Sequence, residues 1–266
     1  MEKLRIIYDF DGTLSPKFMQ EYGLTDALGY KDPCEYFDDA NALVEKHDMD
    51  LILGALLAFQ IRAKEKKIKI SKEWFAKIAQ NIEFYNGVEE YFANINEYGK
   101  SKDVCVEHYI ISSGHKEIID ATPIAKYFKV IYGSFFAYDE KGEAFYPAQA
   151  INSNNKVQFL FRIEKNAFDY TDEKLNKFLV DKKRFPFNNM VYIGDGYTDI
   201  PCMKVTKDNG GTSIAVYNSE SKKAKQGAEE ILKDGRVSFV APADYSENSE
   251  LFNFLKGIID NISSTK

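Results

Sequence analysis

The sequence contains no apolar run long enough to span a bilayer. Its longest run, Leu51 to Phe59, falls far short of the roughly 20 residues that a transmembrane helix needs. The chain begins Met-Glu-Lys and passes directly into a strand-like pattern, without the apolar stretch of a signal peptide. These two absences predict a cytoplasmic protein with no membrane partner.

The sequence also contains few cysteines and fewer basic than acidic residues. Cys34, Cys105 and Cys202 are odd in number, far apart and not spaced like metal ligands, so we expect free, buried thiols. The 35 basic residues are outnumbered by 41 acidic ones, which gives a net charge of -6. Such a balance offers no electrostatic footprint for nucleic acid, so none is expected as a partner.

Two carboxylates follow the first apolar strand pattern, Leu4 to Tyr8, in the hexapeptide Asp-Phe-Asp-Gly-Thr-Leu. Because side chains alternate along a strand, Asp9 and Asp11 can face one pocket. Gly12 permits a sharp turn, and Thr13 offers a hydroxyl and a backbone N–H. Carboxylates this close repel each other unless a cation lies between them, and Mg²⁺ is the oxygen-seeking ion that suits such a site.

A second acidic cluster follows another short apolar run, Met190 to Ile193, in the segment Gly-Asp-Gly-Tyr-Thr-Asp. Ligands of open parallel sheets bind at the carboxyl ends of strands, so the two clusters can face one crevice. Asp195 is the candidate third metal carboxylate. Asp199 either supports the metal site or caps the helix that begins there.

A third apolar strand pattern, beginning at Tyr109, ends in the hydroxyls of Ser112 and Ser113 and in Gly114. These groups can donate to a phosphate, although Ser-Ser-Gly is also common turn chemistry. Lys156 follows a turn-rich segment at the head of a helical stretch, where its ammonium could neutralise phosphate and carboxylate.

In this order, the motifs resemble those of the haloacid dehalogenase-like superfamily of aspartate-nucleophile phosphatases, from residue 1 to about residue 217. The resemblance implies that Asp9 is the nucleophile and that Asp11 is the general acid and base. It also implies that Asp9, Asp11 and Asp195 bind Mg²⁺, with Asp199 supporting the metal shell. An Asp at position 11 is typical of the phosphatases within this superfamily.

The same resemblance assigns phosphate binding to Thr13, Ser112 and Lys156. The sequence leaves Ser112 and Ser113 open as the main side-chain donor, and we prefer Ser112 because it directly ends the apolar run. The resemblance therefore predicts a Mg²⁺-dependent phosphomonoester hydrolase that acts on a small phosphorylated metabolite through an aspartyl-phosphate intermediate. A phosphotransferase or phosphomutase using the same intermediate is the alternative. A catalytically silent binding protein on the same fold is the third hypothesis.

Strand and helix patterns alternate along the chain, which predicts an α/β fold with a doubly wound, Rossmann-like, mostly parallel sheet. The predicted core strands are Leu4 to Tyr8, Cys105 to Ile111, Lys129 to Tyr132, Met190 to Ile193 and Ser213 to Val216. A hairpin joining Phe135–Tyr138 to Glu143–Tyr146 and a helix from Glu250 to Ile262 are also expected.

Residues 15–86 show helical stripes and no strand pattern. We therefore divide the chain into an α/β core, 1–14 with 87–266, and a helical insert, 15–86. In the resembling family an insertion here is a cap that closes over the active site. By that likeness, hinges are expected near Ser15–Pro16 and Asn86–Gly87.

Overall fold

The computed structural model describes residues 1–177 and 184–264. Within them lies one seven-stranded sheet in the order β4-β3-β2-β1-β5-β6-β7, parallel except for β4. The strands are β1 Glu2–Tyr8, β2 Val104–His115, β3 Phe128–Tyr138, β4 Ala144–Gln149, β5 Met190–Gly194, β6 Thr212–Tyr217 and β7 Phe239–Pro242. This order places β1, which carries the first acidic motif, in the middle of the sheet.

Helices cover both faces of the sheet in the described part of the chain. They are α1 Leu24–Ala27, α2 Pro33–His47, α3 Leu51–Glu65, α4 Lys72–Ala79, α5 Val88–Ser101, α6 Lys116–Asp120, α7 Lys156–Lys165, α8 Ile200–Asp208, α9 Lys222–Lys233 and α10 Glu250–Ser264. Short 3₁₀ turns occupy Met19–Glu21, Ala125–Tyr127, Glu173–Asn176 and Phe187–Asn189. Helices α5 and α10 belong to one hydrophobic cluster, and α7, α8 and α9 to another.

Side chains alternate between the two faces of the sheet along β1, so this strand contributes residues to both hydrophobic clusters. Leu4, Ile6 and Tyr8 pack into the cluster of α5 and α10, whereas Ile7 packs into the opposite one. The doubly wound α/β fold predicted from the sequence is therefore confirmed. The five predicted core strands, the hairpin and the last helix are all present.

Two strands differ from their predicted form. Strand β2 continues to His115, so Ser112 lies inside the strand and not at its end. Pairing with β3 becomes irregular between Ile111 and His115, which accommodates the polar residues within the strand. Strand β7 was not predicted, because its four residues are too few to show an alternation and end at Pro242.

The helical insert contains α1 to α4 and no strand between residues 16 and 86. It packs against the core through rings that belong to one cluster: Phe59 and Phe75 come from the insert, and His115 and Phe136 from the sheet. The N–H of Ala144 also donates to the carbonyl of Ile70 (2.8 Å). The division into core and cap stays a prediction.

The thiols differ in part from expectation. The three cysteines are free, but only Cys202 is buried, whereas Cys34 is exposed and Cys105 is intermediate. Cys34 is exposed because it lies in the first turn of α2, next to the capping residue Asp32. Among the helices in the described ranges, none is both long and apolar enough to cross a membrane.

Candidate active site

The two acidic motifs meet because their strands are neighbours. Strands β1 and β5 run parallel with Tyr8 opposite Ile193, so the segments that follow the two strands leave the sheet at the same edge. The N–H of Asp9 donates to the carbonyl of Ile193 (2.9 Å), which extends the pairing into the motif. On the other side of β1, Tyr8 lies opposite Ile110, so Ser112 follows at the same edge.

Lys156 joins the two motifs electrostatically. Its Nζ lies 3.0 Å from Asp9 Oδ2 and 2.8 Å from Asp199 Oδ1, and its side chain is 1% exposed. The backbone N–H of Lys156 donates to the carbonyl of Asn152 (3.0 Å), which fixes the start of α7. The lysine that sequence order alone singled out is therefore buried between two carboxylates.

Three carboxylates converge on one point. Asp9, Asp195 and Asp199 each offer an oxygen, and these oxygens lie within 4.8 Å of one another. Asp199 Oδ2 and Asp11 Oδ1 are buried without a hydrogen-bond partner in the described structure. Buried polar atoms are normally satisfied, and oxygen ligands suit Mg²⁺, so this set of residues fits a divalent cation.

Burial and repulsion between carboxylates raise the pKa values of Asp9, Asp11 and Asp195. The pKa of Asp9 rises to about 7, through burial and the charge of Asp199, against the opposing effect of Lys156. Burial and the charge of Asp9 raise the pKa of Asp11 well above its ordinary range. Burial, then Asp199 and Asp9, do the same for Asp195. A cation bound here would favour the ionised forms of its ligands.

The pKa of Lys156 moves in the direction that keeps its charge. Burial lowers it, but the carboxylates of Asp199 and Asp9 raise it by more. The ammonium therefore stays charged although it is enclosed, and it remains a fixed cation beside Asp9.

Two glycines allow the loops to approach this closely. Gly12 has φ +73°, and a Cβ built on it would lie 2.3 Å from Asp195 Oδ2. A Cβ on Gly194 would lie 2.6 Å from Asp199 Cγ. Neither position has room for a side chain without moving an acid of the cluster.

The predicted phosphate-binding residues lie at the same end of the sheet but differ in their surroundings. Thr13 is fully buried, and its carbonyl accepts from Tyr245 Oη (2.8 Å), whereas its Oγ1 has no hydrogen-bond partner among the described residues. Ser112 is buried, and its Oγ accepts the N–H of Gly114 (3.0 Å). Ser113 is half-buried, and its carbonyl accepts from Ser134 Oγ (2.9 Å). The phosphate-binding roles of these residues stay predictions.

Tyr192 is a residue of the site that the sequence reasoning missed. It lies fully buried in β5, and its hydroxyl donates to Asp199 Oδ1 (2.7 Å), the same oxygen that accepts from Lys156. A tyrosine inside an otherwise apolar strand must find a buried partner for its hydroxyl, and that was the available signal.

Solved structures share this fold at low sequence identity. No family model matches the chain. An uncharacterised protein of Borreliella burgdorferi is 22% identical over 279 residues, covering 95% of each chain. A phosphoserine phosphatase solved as a phospho-aspartyl intermediate analogue superposes with a TM-score of 0.56 at 17% identity, covering 97% of this chain and 99% of that one.

A haloacid dehalogenase family hydrolase of Salmonella enterica serovar Typhi also superposes with a TM-score of 0.56, at 16% identity, covering 96% of this chain and 70% of that one. The chain thus has the fold of the haloacid dehalogenase-like phosphatases. This finding confirms the fold that the resemblance of the motifs implied.

Proposed function

We propose that this protein is a Mg²⁺-dependent phosphomonoester hydrolase that acts on a small phosphate ester through an aspartyl phosphate on Asp9. The observation that carries the proposal is the convergence of Asp9, Asp195 and Asp199 within 4.8 Å, with Lys156 Nζ 3.0 Å from Asp9. The fold supports it, because one structural neighbour was solved with an analogue of such an intermediate.

Asp9, Asp195 and the Asp11 backbone would hold the Mg²⁺, with Asp199 beside them. Bound there, the ion would stabilise negative charge on the phosphoryl oxygens. Lys156 would contribute a second positive charge, since its Nζ lies 3.0 Å from Asp9 Oδ2. These fixed charges suit a reaction in which catalysis depends mainly on positioning and electrostatic stabilisation.

In the first half-reaction, a carboxylate oxygen of Asp9 attacks phosphorus and the bond from phosphorus to the ester oxygen breaks. Asp11 donates its proton to that oxygen, so that the alcohol leaves neutral. Burial and the charge of Asp9 raise the pKa of Asp11, which supports this role because it favours the protonated acid.

In the second half-reaction, Asp11 takes a proton from a water molecule as the water oxygen attacks phosphorus. The bond between phosphorus and Asp9 breaks, which releases inorganic phosphate and restores both aspartates. Ser112 and Thr13 are proposed to orient the phosphoryl group, since both lie buried beside the acid cluster.

The test is release of inorganic phosphate from a panel of small phosphate esters, with Mg²⁺ and with a chelator. The Asp9→Asn variant keeps the size of the side chain and removes the nucleophile, so we expect it to abolish turnover. Asp11→Asn should slow both half-reactions while still allowing substrate to bind. Acid-quenched wild-type protein should retain phosphate that hydroxylamine releases, and Asp9→Asn should retain none.

Two results would contradict the proposal. One is turnover that persists at the wild-type rate in Asp9→Asn. The other is a complete lack of turnover across the panel in the presence of Mg²⁺. Transfer of phosphate to added alcohols, with no release to water, would instead identify a phosphotransferase.

A further inference from the structure

A cleft of about 240 Å³ opens beside Asp195 and Gly12. One wall is the segment 16–21 at the start of the helical insert, and the other is the segment 216–221, which comprises the end of β6 and the loop after it. Because Asp195 belongs to the acid cluster, this cleft adjoins the proposed phosphoryl site. It is smaller than the roughly 300–1,000 Å³ of sites for drug-sized ligands, so it suits a small alcohol.

Aromatic rings form much of the lining. Phe18, Tyr85 and Tyr217 all face the cleft, and Phe18 is 58% exposed. The faces of aromatic rings attract cations, and rings gathered around a small space are a known arrangement for binding ammonium groups.

The charges that line the cleft leave an excess of negative charge. Lys17 Nζ is paired with Glu83 Oε2 at 3.0 Å. Glu21 uses Oε1 to accept the N–H of Phe18 (3.1 Å) and forms no salt bridge within residues 1–177 and 184–264. Among the described lining residues, Lys17 is the only cation. Besides Glu83, Glu21 also raises the pKa of the Lys17 ammonium, but it forms no salt bridge with it. The cleft therefore offers a second cation a carboxylate that is not held in a salt bridge, whereas its one described cation is already paired with Glu83.

We propose that the cleft binds the alcohol part of the substrate and that this alcohol carries an ammonium group but no carboxylate. The inference rests on the proposed function and names its substrate class: a phosphorylated amino alcohol. Glu21 pairs with the ammonium, and the rings of Phe18 and Tyr85 surround it. The ammonium keeps its protons throughout hydrolysis, since only the ester oxygen accepts a proton when the bond to phosphorus breaks.

Three esters of similar size separate the contributions. They are 2-aminoethyl phosphate, 2-hydroxyethyl phosphate, which lacks the charge, and phosphoserine, which adds a carboxylate to the amino alcohol. We expect kcat/KM to be roughly tenfold higher for the aminoethyl ester than for the hydroxyethyl ester, the size that a carboxylate and aromatic faces together supply at a partly exposed site. Phosphoserine should be a poorer substrate than the aminoethyl ester.

The Glu21→Gln variant tests the carboxylate while keeping an acceptor for the N–H of Phe18. We expect it to bring the ratio of the two kcat/KM values close to one. Glu35→Gln is the matched control, because Glu35 is also a glutamate in the first turn of a helix, and its Oε2 accepts the backbone N–H of Lys31 (3.0 Å). That variant should keep the wild-type ratio.

The outcomes separate this inference from the proposed function. Equal kcat/KM for the aminoethyl and hydroxyethyl esters would overturn the inference alone, provided that Mg²⁺-dependent hydrolysis is lost in Asp9→Asn. A wild-type ratio in Glu21→Gln, or a preference for phosphoserine, would overturn it as well. Lack of turnover of every ester would overturn both.

Discussion

Replacing Lys156 with methionine should expose how far the acid cluster depends on its buried cation. Methionine matches the length of the lysine stem but carries no charge, so Asp9 and Asp199 would face each other without the ammonium that now lies 3.0 and 2.8 Å from them. The side chain of Asp199 is fully buried, and that of Asp9 is only 8% exposed. Water therefore cannot replace the lost charge.

Removal of one partner of a buried ion pair costs about 3–5 kcal/mol, because it leaves an uncompensated charge inside the protein. We expect Lys156→Met to lower the free energy of unfolding by that amount. Adding Asp199→Asn removes one of the two carboxylates that Lys156→Met leaves without a cation. The double variant should thus be more stable than the two single losses would predict, by about 1–3 kcal/mol of coupling.

The assay is urea unfolding near neutral pH in the presence of a chelator, repeated with Mg²⁺. Mg²⁺ should stabilise Lys156→Met more than wild type, because the ion then has to balance carboxylates that lysine no longer neutralises. The variant should also lose about 10²–10³-fold in kcat, as when one fixed donor to a developing anion is removed. A loss of stability below about 1 kcal/mol, or strictly additive losses, would refute this account of the cluster.

Three other expectations follow from the same structure. Burial lowers the pKa of His108 to about 3, so the stability that its neutral ring supports is complete above about pH 6.5 and is lost as the pH falls towards 3. Wild type therefore loses free energy of unfolding between pH 7 and pH 5, and His108→Gln should make that loss smaller by about 2 kcal/mol. Gly12→Ala should weaken activation by Mg²⁺, measured by titration of the ion, because its Cβ would displace Asp195. Trp74, the only tryptophan, lies in α4, so its fluorescence should change at the same urea concentration as circular dichroism if insert and core unfold together, and a separate transition would contradict this.

The sequence predicted the parts of the site that local patterns encode. Apolar strands that end in carboxylates located Asp9 and Asp195, and the structure brings both to adjacent strand ends. The order of the strands was not predictable, because it depends on which elements pair across long separations. The 2.8 Å contact between Lys156 and Asp199 joins two such distant elements, so the burial of this lysine was equally hidden.

Other features were missed because their cause is tertiary. Nothing in the segment around Tyr192 specifies that its hydroxyl meets Asp199, since that contact depends on the turn after β5. Exposure of Cys34 depends on its position in α2 relative to the core, which composition does not encode. The cleft lined by Phe18 and Tyr217 is built from segments about 200 residues apart, so only the folded chain brings them together.

The packing of the helical insert limits how the proposed active site could open. Swinging the insert away as a rigid body would expose Phe59, Phe75 and Phe136, which are buried against one another. Exposure of three such rings costs roughly 5–9 kcal/mol, at about 1.5–3 kcal/mol for each, which is comparable to the whole stability of a typical domain.

The second expected hinge is held in place as well. A Cβ on Gly87 would lie 2.4 Å from the backbone nitrogen of Ser246, and Asn86 Nδ2 donates to Asp244 Oδ1 (3.0 Å). In the segment 16–21, Met19 is fully buried in the core, whereas Phe18 is largely exposed and the Lys17–Glu83 pair lies at the surface. We therefore infer that a substrate reaches Asp9 along the cleft, past the exposed side chains of Lys17 and Phe18, while the helices of the insert stay packed on the sheet.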